Sequence, residues 1–478
     1  MMPADYELAA MLPRLDTAID ALGAVASAGD GVLSLDATDL LAGYAAGETS
    51  PPAVVRAVLA RIDSLDPSIG AIWARDASAA LTAAERSAAR WRVGRTRLLE
   101  GVPIVIKDLL DTADLATTGG SQWLADRRPT ADAAVVAAVR AAGAIVIGKS
   151  ATFELGCGNE DIPFGTVRNP WNLGHTTGGS SAGSAAALAA RYVPLAIGTD
   201  TGGSIRIPAS YCGVVGLKPT LGRLSNAGLV GLAPTLDTAG PMARTARDVA
   251  LLFSVIAAVV SAVTPGGSSQ PITRVGVPRP WFFDVVDDEV RAAVDMAIET
   301  LGASGISIVE IDVAHAEHGA TLSWLITMYE AAQTYRDAPR ELLSPSFVSR
   351  LEVGERITAA SYRAALDARS RLTAAVSGVF DRCDALLMPS TVSTAPPLDD
   401  VDRAVAGVDG NWPDVLARTV AIWNVTGLPA LSVPIALDRT GLPIGIQLVG
   451  PAHSDERLLH FAAHLERPPA LPPQRTVI

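Results

Sequence analysis

Two glycine-serine segments carry the residue types best suited to chemistry. The first is Gly178-Gly179-Ser180-Ser181-Ala182-Gly183-Ser184; the second is Gly198-Thr199-Asp200-Thr201-Gly202-Gly203-Ser204-Ile205-Arg206-Ile207-Pro208. Each sets a serine in backbone with little side-chain bulk, where amide N–H groups can gather round a developing anion. Upstream, the apolar run Val102-Pro103-Ile104-Val105-Ile106 ends at Lys107 and Asp108. Burial at the end of such a run favours a neutral amine. Two serines and an uncharged lysine are the parts of nucleophilic acyl transfer without histidine.

The elements that must position these residues read as an α/β chain. Unbroken apolar runs predict strands over 102–106, 144–147 and 193–197, the last leading into the second glycine loop. Helical spacing predicts helices over 36–46, 54–65, 77–92 and 132–142. Residues 181–188 form a helix of small side chains, which lets neighbouring backbone approach closely and places it centrally. A βαβ-like unit follows at 273–277, 288–301 and 307–313, then helices to about 379, then strands at 385–389, 430–434 and 444–449. Strands alternating with helices predict a sheet covered on both faces. Residues 1–30 read as a helical extension, and 265–269 as a flexible loop.

Bulk composition narrows the function. The chain has 478 residues, 49% hydrophobic and 18% charged, with a formal net charge of −12. That balance suits a globular protein and disfavours wrapping nucleic acid, which needs a basic surface. The three cysteines, Cys157, Cys212 and Cys383, make no disulfide framework and suit a reducing, cytoplasmic setting. No run reaches the roughly 18 apolar residues of a membrane span.

Three look-alike motifs fail on context. Gly143 to Ser150 fits the phosphate-loop spacing, but its middle residues, Ala144-Ile145-Val146-Ile147, read as a strand and not as an open loop. Gly179-Ser180-Ser181-Ala182-Gly183 fits the nucleophile elbow of α/β-hydrolases, but 169–175 reads as a turn, and the late His453, His460 and His464 read as surface or packing residues. His315, Glu317 and His318 lack a further ligand and the usual zinc spacing.

From Gly178 to Pro208 the sequence resembles the amidase signature family almost continuously. The interval between Ser180 and Ser204 is that family's spacing, and flanking pieces match at Lys107, at Gly165 to Trp171, at Cys212 to Thr220, and near the C-terminus at Gly427 to Pro434 and Gly441 to Gly450. The likeness spans about residues 31–465, and the one departure is Ala182, where glycine is usual. It implies an α/β/α sandwich round a large twisted mixed sheet, with a mainly helical region at about 315–380 covering the site. It also implies a Ser-cisSer-Lys triad: Ser204 as nucleophile, Ser180 as bridging serine after a cis peptide, and Lys107 as base.

The reaction this implies is hydrolysis of a carboxylic amide, anilide, ester or carbamate through a Ser204 acyl-enzyme. The amides of Thr201, Gly202, Gly203 and Ser204 are expected to surround the oxyanion, with Ser181, Asp200 and Arg206 orienting the machinery. By family analogy Phe153, Leu155, Gly156 and Cys157 border the acyl pocket. Trp324, Met328 and Tyr329 are candidates for a roof, which would favour aryl or hydrophobic amides. Neither cofactor nor metal is called for, and the expected partners are a small-molecule substrate and at most a second copy: a monomer or homodimer without nucleic acid or membrane. The alternative is the glutaminase subunit of a tRNA-dependent amidotransferase. Residues 175–220 look close to those subunits, whereas 344–366 looks like stand-alone amidases.

Overall fold

The structure is a computed structural model that describes residues 31–157, 164–258, 270–399, 415–463 and 465. The expected extension at 1–30, the loop at 265–269 and His464 lie outside the described residues. Among the described residues the strands are β1 (Ile72–Arg75), β2 (Pro103–Lys107), β3 (Ile145–Ser150), β4 (Arg168–Asn169), β5 (Asn172–Thr176), β6 (Leu195–Asp200), β7 (Val215–Lys218), β8 (Thr238–Ala243), β9 (Arg274–Val277), β10 (Ser307–Glu310), β11 (Ala385–Pro389), β12 (Ala430–Leu437) and β13 (Pro443–Val449). Eleven of them form one sheet, ordered β1-β3-β2-β6-β8-β7-β12-β13-β11-β9-β10, while β4 and β5 pair separately. The sheet is mixed: β2 runs parallel to β3 and β6, and β9 parallel to β10 and β11. β8 pairs antiparallel with both β6 and β7.

Strand β2 shows why both faces are covered. Side chains alternate between faces along a strand. Ile104 and Ile106 accordingly join one hydrophobic cluster, while Val105 joins another. The first cluster includes Val135, Val139, Val249 and Leu252 from the helices Ala134–Ala141 and Ala246–Ala257; the second includes Val55, Val58 and the alanines of the helix Ala182–Ala189. This is the expected α/β/α sandwich. The βαβ unit is also present, with β9, the helix Asp288–Ala303 and β10 in that order.

Three sheet strands, β1, β7 and β8, were not expected from the pattern. β8 reads Thr-Ala-Gly-Pro-Met-Ala, and glycine and proline ordinarily argue against a central strand. Here the glycine is needed, because a Cβ on Gly240 would lie 2.2 Å from the Leu217 carbonyl oxygen. The segment before Gly178 is likewise not only a turn: β4 and β5 form a hairpin there, outside the main sheet. Residues 145–150, inside the phosphate-loop look-alike, are strand β3.

The helices Gly319–Thr334, Pro345–Glu355 and Ala359–Ser377 stand after the βαβ unit. The first two pack so closely that a Cβ on Gly354 would lie 2.0 Å from the Met328 carbonyl oxygen. Glu330 ties this layer to the loop before β8, accepting from Thr235 N at 3.0 Å and from Tyr362 Oη at 2.7 Å. Among the described residues no helix is long and apolar enough to cross a membrane.

Candidate active site

Parallel neighbours bring their carboxyl ends to the same edge of a sheet. In β2 and β6, Ile106 pairs with Ile197, so Lys107 at the end of β2 meets Thr199 near the end of β6. Lys107 lies on the face opposite Ile104 and Ile106, toward the small-residue helix, and is wholly buried. Its Nζ stands 2.8 Å from Ser180 Oγ, 2.9 Å from Ser181 Oγ, 2.8 Å from Thr199 Oγ1 and 3.3 Å from the Thr199 carbonyl oxygen. Among the described residues no carboxylate touches it. Burial pulls its pKa down from 10.5 to about 7, against the weaker opposing charges of Asp200 and Asp237. Hydroxyls both donate and accept, so this shell accommodates a neutral amine whose lone pair takes a proton from a serine.

Small residues bring the serines to that amine. The Gly179–Ser180 peptide is cis, as the resemblance implies. A Cβ on Gly179 would lie 2.4 Å from Phe153 Cε2, and one on Gly183 would lie 2.3 Å from the Ala151 amide nitrogen. The helix Ala182–Ala189 therefore sits directly on the chain leaving β3. Ser181 Oγ accepts from Lys107 and donates to the Thr199 carbonyl at 3.1 Å, coupling the two glycine segments. The Ser181 amide in turn donates to the Ser204 carbonyl at 3.1 Å.

Ser180 and Ser204 line one cavity together with Thr201 and Gly202. The expected set of four amides round an oxyanion is corrected at one member. The Gly203 amide donates to Asp200 Oδ1 at 2.7 Å and is already committed to that carboxylate. The amides of Thr201, Gly202 and Ser204 meet no acceptor among the described residues. Gly203 instead serves by its shape, with φ at +122° and Val420 Cγ2 2.5 Å from where a Cβ would stand.

Asp200 and Arg206 hold this loop from behind. Arg206 donates Nε to Asp200 Oδ2 and Nη2 to Oδ1, each at 3.0 Å, and both side chains are wholly buried. Arg206 Nη1 also reaches Gln447 Oε1 at 2.7 Å and the Val420 carbonyl at 2.9 Å. Burial alone would raise the Asp200 carboxyl, but the Arg206 charge overrides it and holds Asp200 well below the usual carboxylate range.

The substrate candidates divide. Phe153, Gly156, Cys157 and Trp324 line the cavity, with Gly156 placed so that a Cβ would lie 3.9 Å from Ser180 Oγ. Leu155 does not, because it turns into the hydrophobic cluster of Leu232, Tyr335, Phe347 and Leu351. Tyr329 does not either; its ring stacks on Tyr362 at 4.2 Å, and Met328 is wholly buried. Residues not anticipated from the sequence complete the wall: Ile207, Leu232, Ser323, Thr327, Arg350 and Leu416. Ser323, Trp324 and Thr327 follow helical spacing from Ala320, which also lines the cavity, so a search for a mixed polar stripe on that helix had the signal to find them. His315, Glu317 and His318 cluster on the exposed surface and are not among the cavity's lining.

A family model described as Amidase matches residues 53–459. A glutamyl-tRNA(Gln) amidotransferase subunit of Halorhodospira halophila is 36% identical over 463 residues, covering 88% of this chain and 94% of that protein. A structure solved in work on a vestigial protein complex and the evolutionary origins of an s-triazine catabolic enzyme superposes with a TM-score of 0.82 at 30% identity, covering 90% of this chain and 98% of that one. The corresponding glutamyl-tRNA(Gln) amidotransferase subunit of Thermotoga maritima superposes with a TM-score of 0.76 at 26% identity, covering 94% of this chain and all of that one (100%). The expectation of a monomer or homodimer that meets only a small molecule is corrected by the Halorhodospira and Thermotoga relatives, which are by name subunits of a glutamyl-tRNA(Gln) amidotransferase.

Proposed function

The chain belongs to the amidase family, and from that premise we propose that it hydrolyses a carboxamide through an acyl-enzyme on Ser204, as the ammonia-releasing subunit of a tRNA-dependent amidotransferase. The observation that carries the chemistry is the 2.8 Å contact between a wholly buried Lys107 and Ser180, at the edge of the cavity that Ser204 lines. Residues 31–478 then form one catalytic unit, roofed by the helices between about 315 and 380.

Neutral Lys107 takes the Ser180 hydroxyl proton while Ser180 takes that of Ser204. Ser204 Oγ bonds to the substrate carbonyl carbon, and the carbonyl electron pair moves onto oxygen. The amides of Thr201, Gly202 and Ser204 receive that oxyanion; losing one such donor typically costs about 3–4 kcal/mol of transition-state stabilisation. The pair returns, the C–N bond breaks, and Ser180 protonates the leaving nitrogen and is recharged by Lys107. Water then gives a proton to the same relay, attacks the ester carbonyl, and releases the acid with Ser204 restored.

Glutamine fits the polar features of the cavity. Arg350 is the charged residue among its described lining, and a guanidinium suits a carboxylate. Ser323 and Thr327 add buried hydroxyls on one side of the roof helix. A second reading, hydrolysis of hydrophobic or aryl amides and related esters or carbamates, is favoured by the apolar wall of Phe153, Ile207, Leu232, Trp324 and Leu416.

The test is ammonia release from L-glutamine and from hexanamide, by the chain alone and with co-expressed amidotransferase partners, together with conversion of glutamyl-tRNA to glutaminyl-tRNA. Glutamine hydrolysis that partners stimulate, and that Ser204→Ala abolishes, supports the first reading. Hexanamide hydrolysis without glutamine hydrolysis moves the assignment to the second. A fluorophosphonate that labels wild type and Ser204→Ala equally removes both.

A further inference from the structure

Asp237 is a buried carboxylate that the relay leaves unused. It sits where the loop after Leu232 enters β8 and is 4% exposed. Its Oδ1 accepts from Thr201 Oγ1 at 2.6 Å, and its Oδ2 accepts from Leu232 N at 2.8 Å and Ala233 N at 3.0 Å. Asp200, the other carboxylate near Lys107 and the stronger of the two on it, is paired with Arg206. Asp237 has only neutral donors among the described residues. A buried anion without a bonded cation acts at longer range on the nearest ionisable amine, because the surrounding dielectric is low. Asp200 and Asp237 are the carboxylates whose charge favours the ammonium form of Lys107. The backbone links these groups: Thr199 holds Lys107, Asp200 follows it, and Thr201 holds Asp237.

We propose that Asp237 is a positioning residue for the acyl-transfer reaction: it anchors Thr201 at the edge of the oxyanion loop, and its charge helps Lys107 keep the proton received through Ser180. The inference rests on the relay proposed above. Around Asp237 stand Glu330 from the roof helix, Tyr335 just beyond it, and Cys157 after β3. Burial first, and Glu330 to a smaller degree, raise the Asp237 carboxyl to about 6 against the Thr201 hydroxyl and the two amides. Above neutral pH it is therefore an anion, where Lys107 works as a base.

The experiment measures the rate at which a fluorophosphonate labels Ser204 as a function of pH, on the full chain. Asp237→Asn removes the charge; with its Oδ1 turned to the Leu232 and Ala233 amides, its Nδ2 donates to the Thr201 hydroxyl oxygen and keeps that anchor. Its acid limb is expected to move to lower pH by about half a unit to one unit. Thr201→Val removes the anchored hydroxyl and is expected to slow labelling about ten- to hundredfold, while Thr201→Ser, which keeps that hydroxyl, is expected to recover most of the loss. A wild-type limb that Asp237→Asn leaves in place overturns this inference alone; a wild type without any limb removes the relay and this inference together. Where Asp237→Asn gives no folded protein, the Thr201 pair decides, and equal rates for Val and Ser overturn the anchoring.

Discussion

The acidity of Lys107 gives the most direct test of the chemistry. The working base is the neutral amine. Burial draws its pKa from 10.5 to about 7, opposed by Asp200 and Asp237. A group of pKa near 7 is about one-tenth deprotonated one unit below that value and about nine-tenths one unit above. With chemistry rate-limiting, kcat/KM should therefore rise about tenfold from about pH 6 to about pH 8 and then level. A lysine in water would give a different curve, still climbing about tenfold per unit at about pH 9. Lys107→Ala should lose the limb and about a thousandfold or more of the rate, the range of a general base. Initial rates of ammonia release serve as the assay, with a solvent isotope effect to establish that proton transfer limits the rate. A flat wild-type profile from about pH 6 to 9, or one that climbs without a break to about pH 10, would refute the assignment of a buried neutral amine as base.

Two further outcomes follow from the geometry. Arg350→Leu should cut kcat/KM for L-glutamine about ten- to a hundredfold, mainly through KM, and leave hexanamide within about threefold; parallel losses on both substrates would mean that Arg350 serves the fold and not the carboxylate. Arg206→Leu leaves the wholly buried Asp200 carboxylate without its cation, so urea unfolding should show a loss of about 3–5 kcal/mol, and a change under about 1 kcal/mol would contradict the buried pair.

What was legible in the sequence is what is local. Glycine marks places where backbone must approach closely, and the two serine segments declare themselves because their glycines abut Phe153, Ala151, Val420 and Ile207. Lys107 was legible only in company: a lone strand-end lysine reads as one that reaches water, and the two serine segments downstream single it out. The parts that failed depend on which way a residue turns once the chain is folded. Leu155 and Phe153 are two apart and equally apolar, yet Leu155 takes a φ of +49° and points into a core cluster while Phe153 covers Gly179. Trp324 and Tyr329 are five apart, about 140° round a helix of 3.6 residues per turn, so only one of them can face the cavity. The Gly203 amide was assigned to the oxyanion because nothing in the sequence tells that Asp200 reaches it first.

The partner expectation failed for a different reason, and the failure limits what net charge can say. A formal charge of −12 argues against this chain wrapping RNA by itself. It is silent about an assembly in which another subunit holds the RNA. Under the proposed reading both statements stand together: an acidic subunit needs only to release ammonia, and the affinity for tRNA belongs to its partners. The chemistry fits that division, since glutamine and ammonia carry no phosphate, and the cavity offers a single guanidinium among its described lining instead of a basic tract. Salt should therefore weaken tRNA binding by the assembly steeply while leaving glutamine hydrolysis by this chain nearly unchanged, and a parallel loss of both would place the RNA on this chain instead.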